Sequence, residues 1–176
     1  MSAVSSASAR SRRSTIRRAT QALMVLLSLG VGACGDGTGP SGPGTGSATI
    51  SGAVSASGGG ISLFASEQGL FEVLVASTTG TWQIQIANYS GRPEMGTYAL
   101  TPLDPSSESP TAALYHASPA GVTMYESTSG QLVITSSSAS SVRGTFSFTG
   151  RDVDGTATVT VQGSFDARCA EGVVCQ

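Results

Sequence analysis

The sequence predicts an all-β fold: a single antiparallel β-sandwich or small barrel of roughly 8–10 strands, following a signal peptide and a disordered Gly/Pro linker. Three observations carry this. Short runs alternate apolar and polar residues with a period of two, as strands with one buried face do. Turn signals separate these runs at roughly ten-residue spacing. No segment sustains a 3.6-residue apolar period, and β-branched and aromatic residues set among Ser, Thr and Gly favour strands over helices.

The chain begins with a polar, basic segment carrying Arg10, Arg12, Arg13, Arg17 and Arg18 and no acidic residue. An apolar run of about 12 residues follows at 22–33. A membrane-spanning helix needs roughly 20 apolar residues, so this order of basic, apolar and small residues reads as a cleaved signal peptide over 1–33. It ends in Val31-Gly32-Ala33-Cys34, which resembles the bacterial lipobox. The resemblance implies that Cys34 receives a diacylglyceryl group, that the bond before it is cut and that the new N-terminus is acylated. Each buried methylene contributes roughly 0.8 kcal/mol, so two or three chains hold firmly where one does not. The Arg12-Arg13 pair resembles a twin-arginine export motif only in part, which leaves the export route open.

Residues 34–47 form the lipidated cysteine and linker. Six glycines and two prolines fall within 35–47, a composition that cannot bury enough apolar surface to offset chain entropy. The linker should therefore be flexible and hold the following domain close to a bilayer. Gly rather than Asp follows Cys34, which favours the outer over the inner membrane of a cell envelope. Removing the signal also changes the charge. Five of nine arginines precede Cys34 and all 11 acidic residues follow it, so the remainder carries four arginines, no lysine and a net charge of −7. Nucleic acid requires a basic patch and is excluded as a partner.

Residues 48–176 have the length of one domain with its own core. Candidate strands lie at 48–54, 61–66 and 70–77, with Ser57-Gly58-Gly59-Gly60 ending the first and a short hairpin loop at 67–69 joining the next two. The run 81–87 alternates cleanly, placing Trp82, Ile84 and Ile86 on one face. Strands at 95–101, 111–117, 122–127 and 130–136 follow, with a proline-bearing loop at 102–110 and a polar loop at 136–141. The runs 143–149 and 156–165 make a hairpin through the turn at 150–155. A Gly-Thr-apolar-x-apolar pattern begins at Gly80, Gly96, Gly144 and Gly155, at intervals too irregular for a repeat architecture. It reads as a strand start, with Gly leaving a turn, Thr facing water and the next alternate residues entering the core.

Export places Cys169 and Cys175 in an oxidising space, where two cysteines pair. A loop this small contributes about 2 kcal/mol by chain entropy and constrains the C-terminal tail.

The segments Gly130-Gln-Leu-Val-Ile-Thr-Ser-Ser, Gly144-Thr-Phe-Ser-Phe-Thr-Gly and Thr158-Val-Thr-Val-Gln-Gly-Ser-Phe-Asp166 resemble a family of bacterial envelope lipoproteins whose shared domain has no assigned function. The starts Ala48-Thr-Ile-Ser-Gly and Gly96-Thr-Tyr-Ala-Leu fit the same layout, so the resemblance covers most of 48–166. It implies an antiparallel β fold and a lipid anchor, and it brings no activity or catalytic residues with it.

No constellation in the sequence carries a reaction. A single histidine, His116, offers no catalytic triad, and no Gly-x-Ser-x-Gly elbow is present. Glycoside hydrolysis needs two opposed carboxylates, and the sequence does not pair Glu67, Glu72, Glu94, Glu108 and Glu126. Asp152-Val-Asp-Gly155 opens like an EF-hand loop but lacks its later ligands, and reads as a hairpin turn. We therefore expect no catalytic, cofactor or metal residues. The expected function is a non-catalytic module, membrane-anchored through Cys34, that binds an envelope protein, glycan or peptide. An alternative is a barrel with a cavity for a small apolar ligand, and a hydrolase is a distant third. Tyr89, Tyr115 and Tyr125 are expected to be exposed and available to a ligand in either of the first two.

Overall fold

The computed structural model describes residues 42–67, 69–104, 106–173 and 175. Residues 1–33, expected to be a signal peptide, and Cys34 lie outside the described residues. Nine strands and no helix make up the described fold: β1 Gly44–Gly52, β2 Ala56–Glu67, β3 Leu70–Ser77, β4 Trp82–Asn88, β5 Gly96–Leu100, β6 Thr111–Ser118, β7 Gly121–Ser137, β8 Ser141–Asp152 and β9 Thr158–Cys169. Eight of them pair in sequence order around a closed ring, β1-β2-β3-β4-β6-β7-β8-β9, with β9 returning to β1. The result is an up-and-down antiparallel barrel, which resolves the sandwich-or-barrel choice and leaves the ring itself without an edge. The ninth strand, β5, lies end to end with β6 along the same side of β7. Ser127 joins the two at that break. Its hydroxyl donates to the Thr101 carbonyl at 2.7 Å and accepts from the Ala112 amide at 3.0 Å.

An eight-stranded barrel has an interior just wide enough for side chains to fill. Here the period-two pattern delivers them. Phe64, Phe71, Val73, Val75, Ile84, Ile86, Leu114, Leu132, Val142, Phe146, Phe148, Val161 and Phe165 all point inward and are at most 4 % exposed. The rings of Phe64 and Phe71 lie 6.0 Å apart, and Phe146 sits 6.5 Å from Phe148 and 6.3 Å from Phe165. A cavity large enough for a ligand would leave its lining side chains accessible to a water-sized sphere, and these are not.

Glycines make room for the aromatic rings. Gly163 stands opposite Phe146 and Gly144 opposite Phe165 in the β8–β9 pairing. A Cβ on Gly163 would meet the Phe146 ring at 2.5 Å, and one on Gly144 would meet the Phe165 ring at 2.9 Å. Gly144 therefore lies inside β8 rather than leaving a turn, which corrects the strand-start reading for that copy of the pattern. The same cause shifts other boundaries. β1 begins at Gly44, within the segment expected to be linker, because 44–47 pairs with β2 and 45–47 also with β9, and at Gly46 only glycine fits, since a Cβ would sit 2.5 Å from Val75. β2 begins at Ala56, so the Ser-Gly-Gly-Gly run at 57–60, expected to end the first strand, is itself strand. The two candidate strands at 122–127 and 130–136 are one strand, β7, with irregularities between Ser127 and Ser129 and between Ile134 and Ser136.

Cys169 and Cys175 are disulfide-bonded, with Cα atoms 6.1 Å apart. Past the start of β1, β9 pairs directly with β2 in parallel, Cys169 beside Phe64, and the Ala170 amide donates to the Phe64 carbonyl at 2.9 Å. Cys175 is buried against the core. The bridge thus ties the closing turn to the end of the barrel beside Phe64, in addition to constraining the tail.

Candidate functional site

The outward side chains of β1, β9, β8 and β7 form one continuous polar surface. The alternation that sends Ala48, Ile50, Phe146, Phe148, Val159 and Val161 inward sends Ser47, Thr49, Thr145, Ser147, Thr160 and Gln162 outward. Cross-strand register then assembles them. Thr49 faces Gln162, Gln162 faces Ser147 and Ser147 faces Gln131. In the next row Ser47 faces Ser164, and Ser164 faces Thr145. With Gly58 of β2 at one end, Ser47, Thr49, Gln131, Thr145, Ser147 and Gln162 line an open groove of about 580 Å³. Ala48, Phe146 and Gly163 form its floor.

None of the lining residues is ionisable. Ser47 shares a hydrogen bond with Ser164 at 3.1 Å. The side chains of Thr49, Gln131, Thr145, Ser147 and Gln162 make no hydrogen bond among the described residues, so their donors and acceptors face outward unused. Elsewhere hydroxyls are engaged: Ser62 donates to the Leu74 carbonyl at 3.1 Å, and Ser118 to the Gly121 carbonyl at 3.1 Å. Charge approaches the groove at one margin, where Arg143 pairs with Asp166 at 3.0 Å across β8 and β9.

A different cluster occupies the outer face of β3, β4 and β6. The Tyr115 hydroxyl donates to Gln85 Oε1 at 3.1 Å, and Gln85 Nε2 donates to Glu72 Oε1 at 2.8 Å. Burial raises the Glu72 carboxyl above its usual range, partly offset by the Gln85 hydrogen bond. Burial first, and then the charges of Glu72 and Glu126, raise the Tyr89 phenol. Tyr115 is raised by burial first, with Glu72, Tyr89 and Glu126 adding to it. Glu126 in turn accepts from the Leu103 amide and fixes the loop between β5 and β6. These are positions of mutual satisfaction, not an open site.

The candidates singled out from sequence fall as follows. Tyr115 and Tyr125 are 8 % and 5 % exposed, so of the three tyrosines expected on the surface Tyr89 alone is there. Both lie within paired strands whose neighbours cover them, Tyr115 between β4 and β7 and Tyr125 between β6 and β8. His116 is half-buried on β6 opposite Trp82. Asp152 turns the β8–β9 hairpin by accepting the Asp154 amide at 2.9 Å. Among the described residues no group of three or more His, Cys, Asp or Glu is placed to hold a metal ion. Glu72 and Glu126 both act on the Tyr89 phenol, while Glu67 ends β2, Glu94 precedes β5 and Glu108 lies in the loop after β5, its carbonyl accepting from the Ser90 hydroxyl at 3.4 Å.

The groove residues were not singled out by sequence reasoning, although part of the signal was present. The predicted 143–149 and 156–165 hairpin puts Ser147 and Gln162 on adjacent strands, but its 150–155 turn would set 147 against 158; the observed register, with β8 running on to Asp152, sets Ser147 against Gln162. The closure of β9 onto β1, which adds Thr49 and Ser47, has no local signature.

Fold and site together define a closed eight-stranded up-and-down barrel with a packed interior and a neutral polar groove on its flank. Comparison with family models, with curated proteins and with solved structures gives no match.

Proposed function

We propose that this chain is a lipid-tethered, non-catalytic binding module of the cell envelope, and that the groove across β1, β9, β8 and β7 is its recognition surface. The observation that carries this reading is the groove itself: about 580 Å³, within the ordinary size of ligand sites, lined by polar side chains of which all but Ser47 leave their hydrogen-bonding capacity unused among the described residues. The lipobox-like Val31-Gly32-Ala33-Cys34 supports the tether, and the acidic, lysine-free remainder supports a partner other than nucleic acid. A closed barrel is also the fold that an apolar-ligand carrier would use. The filled interior directs the reading to the outer surface instead.

Two measurements test the proposal. Cys34→Ser should abolish lipidation and move the folded domain from the membrane to the soluble fraction. Retention of that variant in the membrane would show that residues 22–33 are themselves the anchor. A photo-crosslinking side chain at Gln162 should form adducts in intact cells, whereas the same group at Val122, an exposed position outside the groove, should not. Equal capture at both positions would remove the groove from the proposal.

A further inference from the structure

Resting on the reading that the groove is the recognition surface, we infer that its ligand is an uncharged polysaccharide chain and not a peptide. The chemistry of the lining points there first. Ser47, Thr49, Thr145 and Ser147 present hydroxyls and Gln131 and Gln162 present carboxamides. A hydroxyl both donates and accepts, and a carboxamide offers two donors and an acceptor. That mixture matches sugar hydroxyls, which also donate and accept, and it provides no cation for an acidic chain. The net charge of −7 beyond Cys34 opposes anionic polymers further.

The recurring ways of binding a peptide fail here one by one. Strand addition needs a free sheet edge. β1, β9 and β8 are each paired on both sides, and β7 pairs with β8 on one side and with β5 and β6 on the other. No main chain in the groove is left to form a ladder. A helix needs an apolar trough and a polyproline segment an aromatic-lined one, but the apolar floor residues Ala48 and Phe146 are 4 % and 3 % exposed. A phosphorylated or acidic motif needs clustered arginines, and no arginine lines the groove.

The layout suits a chain more than a single ring. The row Thr49, Gln162, Ser147, Gln131 crosses four adjacent strands, about 14 Å at the usual inter-strand spacing. The row Ser47, Ser164, Thr145 runs alongside it, about 7 Å further along the strands. Equivalent polar groups therefore recur along the groove, as they do along a polymer of similar units.

Native affinity electrophoresis of the detergent-solubilised full chain tests the inference. The gels carry dextran, laminarin or mannan as neutral probes and alginate or polygalacturonate as anionic ones. At least one neutral polymer should retard the protein and neither anionic one should. Gln131→Ala/Gln162→Ala should weaken the retardation about tenfold with an unchanged melting temperature, and Gln83→Ala on the other flank should leave it as it was. Retardation by the anionic polymers, or by none of the neutral ones, overturns the ligand assignment. Protein adducts from the Gln162 crosslinker overturn it too, while leaving the groove as the recognition surface. Neutral-polymer binding that survives the double glutamine variant overturns both the ligand assignment and the groove reading.

Discussion

Gly163→Ala should be among the most damaging single-methyl additions to this barrel. The added Cβ would lie 2.2 Å from the Ser47 carbonyl oxygen and 2.5 Å from Phe146 Cζ, more than 1 Å inside normal contact. Neither neighbour can yield easily. Ser47 is held in the β1–β9 ladder, and the Phe146 ring is wedged between Phe148 and Phe165. Overpacking of this kind costs about 1–3 kcal/mol, and contact with both main chain and ring places this substitution at the upper end. In a domain of this size that lowers the melting temperature by roughly 3–6 °C per kcal/mol. Gly59→Ala is the matched control, because its Cβ would meet only the Gly46 carbonyl, at 3.8 Å. It should be neutral or stabilising by about 0.4–1 kcal/mol through loss of unfolded-chain freedom. Urea titrations of the three proteins should give equal m-values and well-separated midpoints. In a double-mutant cycle, Phe146→Leu should relieve the ring contact but not the carbonyl contact, giving partial coupling. A wild-type midpoint for Gly163→Ala, or an equal loss in Gly59→Ala, would refute the reasoning that glycine is required by ring packing.

Other expectations follow from the same structure. Trp82→Ala, which empties an inward position of β4 that is 3 % exposed, should cost about 3–5 kcal/mol; near-wild-type melting would remove Trp82 from the core. Reductant should lower the wild-type urea midpoint by the equivalent of about 2 kcal/mol and leave Cys169→Ser/Cys175→Ser unchanged, and an equal effect on both would deny the bridge a role in stability. The Glu72 carboxyl is raised in the folded state from 4.5, so the folded protein holds that proton more tightly than the unfolded chain. Its contribution is therefore lost as pH rises from about 4.5 through the raised value. Glu72→Gln should gain stability relative to wild type over that interval, and melting curves from pH 4 to 7 that stay parallel would contradict this sign.

The barrel's parts were legible where a residue's role is local. Trp82, Ile84 and Ile86 announce a one-faced strand by alternation alone. Asp152 and Gly155 announce the turn that brings β8 against β9. Glycine is where local reading failed. Gly44, Gly46 and Gly60 read as linker or turn residues by propensity, yet each lies in a strand where an opposing backbone or side chain occupies the space of its missing Cβ, as it also does for Gly144 and Gly163 within strands that the pattern did give. That requirement depends on a partner far away in sequence, as with Gly46 and Val75. The groove was hidden for the same reason. Ser147 and Gln162 meet within one hairpin, but Thr49 joins them only when the first strand closes on the last, and neutral polar residues on an outer face give no warning in composition.

A filled eight-stranded barrel divides its two faces between different tasks. The interior is spent on aromatic packing, down to glycines that cannot take a methyl group, so the proposed recognition would use the exterior. Of the outer surfaces, the one over β3, β4 and β6 is internally satisfied through Tyr115, Gln85 and Glu72. The one over β1, β9, β8 and β7 is not. Its strands are also the best braced, since β9 is stapled at its end by Cys169–Cys175 and β7 is paired along nearly its whole length. A rigid sheet can hold six uncharged polar groups in fixed register without an aromatic platform. The binding energy then comes from many modest hydrogen bonds rather than one buried anchor. Such a site gains most from a ligand that repeats, and from many copies of the module held on one surface, where each engaged unit raises the effective concentration of the next. A lipid tether at Cys34 would supply that arrangement, which is why the anchor and the groove are most economically read as parts of one function.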